Sequence, residues 1–235
     1  MVGSTVSIPE KSDLVAARSR RRDLAELIVG YGLILLVLWA PRPWQKLSWW
    51  IAAIAIAVMI SRSFGGLKAM GLSGENFFRS LWVVGLALLG TAAAVAFAYT
   101  RHTLQLPGSP VLFFKSYAGY AIWAFGQQFL LQCFFLSRFL RLLPNQRRGA
   151  AVAAAVFAAA HLPNPILVLV TLFWGFGACL VFLRYRNLYT LAMAHAILGI
   201  TIGITVPGPV DHNMRVGLGY LTYTHTPKAV SSPKP

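Results

Sequence analysis

SYAGYAIWAFGQQFLLQCFFLS, residues 116–137, contains no charged residue. As a helix rising 1.5 Å per residue it is about as long as a bilayer's hydrocarbon core is thick. Three of its side chains are nevertheless the amides of Gln127, Gln128 and Gln132. An amide in hydrocarbon is costly unless it is hydrogen-bonded. The stretch therefore reads as a transmembrane helix with a polar face that needs partners on other helices.

Uncharged runs recur on both sides, at 27–41, 47–61, 80–100, 149–183 and 187–210. The first two are short and need Trp44, Trp49 and Trp50 at the interface to complete them. Run 149–183 is too long for one span, and HLPNP at 161–165 divides it, because Pro163 and Pro165 lack amide donors and turn their predecessors away from helix. The expected fold is all-α, a polytopic membrane helix bundle of about seven spans. FGGLKAMGLSGENFFRSLW at 64–82 is expected to add an interfacial amphipathic helix, and RHTLQLPGSP at 101–110 reads as a loop. Residues 1–23 form a basic segment, 24–223 a single membrane domain, and the proline-rich tail 224–235 is expected to be unstructured.

Hydrophobic residues make up 57% of the chain and charged residues only 11%, which excludes an ordinary soluble domain. The basic residues cluster in RSRRRD before the first span and at Arg138, Arg141, Arg147 and Arg148. With seven spans and the N-terminus cytoplasmic, the cytoplasmic side holds twice as many Lys and Arg as the other, which places the C-terminus outside. The first span is expected to be an uncleaved anchor. The net charge of +15 then reflects topology and attraction to anionic headgroups, so membrane lipids are partners and nucleic acid is not. Cys133 and Cys179 fall within spans as small apolar packers.

Polar residues inside spans are the default functional candidates. Here they are Gln127, Gln128, Gln132, His161, Asn164 and His195, with Asn187 nearer an interface. On a helix Gln128 and Gln132 share a face and Gln127 is turned about 100° from Gln128, so the three are expected to point into one angular sector and converge on a cavity between helices. Three separate spans thus supply amides and two imidazoles to one region, where they either bond helices together or line a water-handling site. Asp211, His212, Asn213 and Arg215 could cap the outer mouth of such a site or form an exposed turn.

The order QQxxxQ, then FxxxH from Phe157 to His161, then a mid-span His195 resembles the CPBP family of intramembrane glutamic endopeptidases, which includes CAAX prenyl protease 2 and Abi-type proteins. The resemblance covers roughly 116–206 and is most specific in FAAAHLPNP; MGLSGENFFRSLW also looks like the segment preceding the family's core. It implies a site in which a glutamate and the FxxxH histidine activate water while the last helix's His and Asn steady the oxyanion. Carried over, the EExxxR motif falls on Gln127, Gln128 and Gln132, the histidines on His161 and His195, and the final Asn on Gly199. Phe157, Asn164 and Gly199 are expected on the substrate side. A membrane-embedded or prenylated peptide is the implied partner, and no cofactor is implied.

The departures have a physical meaning. A carboxamide has no pKa near the operating pH, so neither glutamine can serve as a general base. Replacing both acids removes the need for a cationic partner, and Gln132 stands where the arginine would be. The six acidic residues, Glu10, Asp13, Asp23, Glu26, Glu75 and Asp211, all fall outside the core spans. Two histidines with neutral amides also make a poor zinc site. The expectation is a proteolytically impaired protein that binds a membrane-embedded or lipidated peptide. The alternatives are an active protease relying on His161 and His195, and a small-molecule transporter.

Overall fold

The computed structural model describes residues 11–224, with side chains from residue 18. Expectations for 1–10 and for the tail from 225 lie outside the described residues. Among the described residues every regular element is helical.

Asparagines start the core helices. Asn145 accepts amide protons from Arg147 and Arg148 at the head of α7 (Gln146–Ala159), Asn164 from Leu167 at the head of α8 (Pro165–Tyr185), and Asn187 from Thr190 at the head of α9 (Leu188–Thr205). Pro165 sits at the first position of α8, where its missing N–H is no loss. The expected break at HLPNP is present, as turns between α7 and α8.

Before the core come α1 (Lys11–Trp39), α2 (Arg42–Ser61), the four-residue α3 (Phe77–Ser80) and α4 (Trp82–Thr100). Next, α5 (Pro110–Phe129) runs directly into a π-helical segment, Leu130–Leu136, and then into α6 (Ser137–Leu142). The short α10 (Gly208–Asp211) and α11 (Leu218–Leu221) close the described chain.

Among the described residues four segments are long and apolar enough to cross a membrane: Arg42–Ser61, Phe77–Thr100, Pro165–Tyr185 and Leu188–Thr205. The count of seven is therefore not reached, for three local reasons. The first half of α1 is charged. α5 has the length at 20 residues, but Lys115, Gln127 and Gln128 lower its apolarity. The 14 residues of α7 rise only about 21 Å, short of a bilayer's ~30 Å.

The segment 64–76 forms turns rather than the expected amphipathic helix, and helix begins only at Phe77. Gly66, Gly71 and Asn76 adopt positive φ, which breaks helical continuity. The loop is pinned instead to the α8–α9 connection. Leu188 donates its amide to Gly71 O at 2.8 Å, Asn187 Nδ2 donates to Glu75 O at 3.0 Å, and Asn76 Nδ2 donates to Tyr185 O at 3.1 Å. A Cβ on Gly71 would meet Phe182 and the Arg186 carbonyl, so only glycine allows this approach.

Two hydroxyl pairs join the segment Phe77–Thr100, α3 and α4 together, to the last span: Ser80 to Thr190 at 2.9 Å and Thr91 to Thr201 at 2.7 Å, each separated by 110 residues. The equal separation makes these helices parallel. Alanines of α7 let α8 approach closely, with Gly175 against Ala154 and Phe157. Large apolar side chains such as Phe78, Leu89, Ile122 and Phe173 face outward, as a lipid-embedded bundle requires. Cys133 and Cys179 are both free and buried.

α1 is held by charge. Arg138, fully buried, donates through Nε and Nη2 to Glu26 Oε2 at 2.9 and 2.7 Å and through Nη1 to Phe134 O at 3.1 Å. One helical turn further on, Arg141 makes a fork-to-fork pair with Asp23 at 2.7 and 2.8 Å. Both acids precede the core spans, as expected. They are buried where α1 meets α6.

Candidate functional site

A cavity of about 630 Å³ opens between α1, α2, α5, α7, α8 and α9. Gln127, Phe157, His161, Trp174, His195 and Gly199 are on its wall, together with the unpredicted Tyr120 and Thr171.

The glutamines divide into two roles. Gln127 faces the cavity, whereas Gln128 and Gln132 are fully buried behind it. Gln132 Nε2 donates to Gln128 Oε1 at 3.2 Å, and Gln128 Nε2 stands 3.0 Å from His195 Nδ1. The shared face read from the i, i+4 spacing is thus occupied by a chain of amides ending on an imidazole. Gln132 lies within the π segment, a geometry frequent at functional sites.

His161 lies in the turn after α7 and makes a separate contact. Its Nδ1 is 2.8 Å from the carbonyl oxygen of Phe157 and 3.4 Å from the Thr171 hydroxyl, which itself donates to Leu167 O at 2.6 Å. The two imidazoles share the Phe157 ring, at centroid distances of 5.0 Å for His161 and 6.1 Å for His195. Trp174 flanks His195 at 6.0 Å.

Asn164, expected on the substrate side, is fully buried and off the cavity wall. Its side-chain Oδ1 caps α8 by accepting from Leu167 N, and its Nδ2 donates to Asp211 O at 2.7 Å and Arg215 O at 3.2 Å. The Asn-Pro dipeptide is itself a signal for such a cap. Gly199 does border the cavity, but a Cβ there would collide with the Tyr120 hydroxyl. A phenol therefore fills the space into which an asparagine at 199 would extend.

Asn213, Met214 and Val216 form part of the cavity wall, whereas Asp211, His212 and Arg215 do not. His212, Asn213 and Met214 all have positive φ, and His212 stacks on Tyr220 at 3.9 Å. Three non-glycine residues in succession in that region carry a strain of about 1 to 2 kcal/mol each.

Among the described residues no Asp, Glu, Lys or Arg lines the cavity. Glu75 pairs with Lys68 at 2.8 Å on the surface, and Asp211 Oδ1 accepts the amide of Asn213 at 3.0 Å. Among the described residues no three His, Cys, Asp or Glu side chains come together.

A helical bundle with lipid-facing apolar sides and a polar constellation between its helices defines an integral membrane protein. Residues 109–201, from the cap of α5 into the last third of α9, match the family model described as type II CAAX prenyl endopeptidase Rce1-like, in line with the resemblance carried by the motif order. No curated protein and no solved structure matches the chain.

Proposed function

We propose that the protein is a hydrolytically impaired CPBP-type membrane protein whose cavity binds a membrane-embedded or lipidated peptide. The observation that carries this reading is the bond from the Gln128 amide to His195 Nδ1. A carboxylate in that place would accept a proton, and an amide cannot. No acid on the cavity wall substitutes for it. The apolar lining, with a few polar groups at one end, suits a ligand that brings a hydrocarbon portion. In this reading 24–223 acts as one membrane domain, with the basic N-terminal side cytoplasmic. The parallel course of α4 and α9 supports a topology in which α5–α6 and α7 either both cross the bilayer or both stop short.

One observation favours the active-protease alternative. His161 Nδ1 is engaged by a carbonyl, which leaves Nε2 on a cavity-lining ring as a free acceptor for a water proton. The deciding experiment reconstitutes the full chain in vesicles with a prenylated peptide carrying a photo-crosslinker, beside Gln127→Glu and Gln128→Glu variants. Crosslinking without cleavage in the unaltered protein is expected. Cleavage by the unaltered protein that disappears in His161→Ala would overturn the proposal.

A further inference from the structure

We infer that His161 and His195 together grip an uncharged hydroxyl, and that the cavity takes a single-chain lipid with a neutral alcohol head. The inference rests on reading the cavity as a binding site. A carbonyl oxygen can only accept, so His161 Nδ1, 2.8 Å from Phe157 O, carries the ring proton and Nε2 is a bare acceptor. Thr171 does not alter this, because its hydroxyl hydrogen is already given to Leu167 O.

At His195 the assignment is reversed. Gln132 Nε2 donates to Gln128 Oε1, which turns the Gln128 NH₂ toward His195 Nδ1. That nitrogen is then the acceptor, and the remaining Nε2 carries the proton. Two rings packed on one phenylalanine thus present opposite polarity, one lone pair and one N–H. A hydroxyl satisfies both with one oxygen, donating to His161 and accepting from His195.

Charged heads do not fit. A carboxylate meets the lone pair of His161, an ammonium meets the N–H of His195, and no ionic side chain lines the cavity to offset the desolvation of either. The rest of the wall is suited to a hydrocarbon tail, with Ile34, Ala52, Ile56, Trp174 and Leu198 among its residues. At about 630 Å³ the cavity lies within the range of small-ligand sites.

The test uses the full chain in lipid nanodiscs, with histidine side chains followed by nitrogen-15 NMR during titration with dodecanol, dodecane or dodecanoate at alkaline pH. Before addition, His161 is expected as the Nδ1–H tautomer and His195 as Nε2–H. Dodecanol is expected to shift both Nε2 resonances and to bind about tenfold more tightly than dodecane or dodecanoate. His161→Phe keeps the ring and removes the acceptor, and should abolish that preference while dodecane still binds. Finding His195 as Nδ1–H, or equal binding of the three ligands, overturns the inference. An alcohol titration that fails in a chain that crosslinks peptide without cleaving it sinks this inference alone and leaves the peptide-binding reading standing.

Discussion

Gln128 Nε2 lies 3.0 Å from His195 Nδ1, and this hydrogen bond decides which ring nitrogen holds the proton. A carboxylate at 128 would reverse it, because it can only accept and would draw the proton onto Nδ1. Gln128→Glu is therefore expected to switch His195 from the Nε2–H to the Nδ1–H tautomer, visible in its nitrogen-15 shifts. An unchanged tautomer in a folded variant would show that Gln128 does not set the state of this ring.

Gly199 and Tyr120 are a packing pair. Gly199→Asn forces the phenol out of its place and is expected to lower stability by about 1 to 3 kcal/mol. Combining it with Tyr120→Ala should recover much of that loss in thermal unfolding. A double variant no more stable than Gly199→Asn would refute the pairing.

The Glu26–Arg138 contact is buried, so removing one partner is far worse than removing both. Glu26→Gln should cost about 3 to 5 kcal/mol by leaving the guanidinium without its counter-charge. Glu26→Leu together with Arg138→Leu should cost much less. A Glu26→Gln protein that melts like the unaltered one would mean the pair does not hold α1.

Burial raises the Asp211 carboxyl above its usual pKa, against the opposing pull of backbone amides from Asn213 and Met214. A carboxyl raised in the fold binds its proton more tightly there than in the unfolded chain. Stability from this group is thus greatest in acid and declines as pH rises from the unfolded pKa through the folded one. Asp211→Asn should be more stable than the unaltered protein at neutral pH, with the difference vanishing in acid. A difference that does not change with pH would assign the effect to packing.

The helical class, the break at HLPNP and the shared face of Gln128 and Gln132 were legible, since each follows from periodicity or from proline chemistry. Convergence of all three glutamines on one cavity was the expectation, and only Gln127 lies on the cavity wall. The Asp23 and Glu26 contacts were not legible, because their arginine partners lie more than a hundred residues away and no local rule pairs them. Tyr120 escaped notice for a similar reason: its meaning depends on the missing side chain of Gly199. At 64–76, local polarity suggested an amphipathic helix, but glycine torsions and bonds to the α8–α9 turn prevailed.

The wider winding of Leu130–Leu136 sets the phase between two functions of one rod. Above it Gln128 reaches His195, and below it the arginines reach α1. Inserting one residue just after this stretch, ahead of Arg138, would leave the composition nearly intact and the upper half in place, yet rotate the lower half by about 100°. Arg138 and Arg141 would then face away from their acids, so this rod should tolerate substitution more readily than any change in its length.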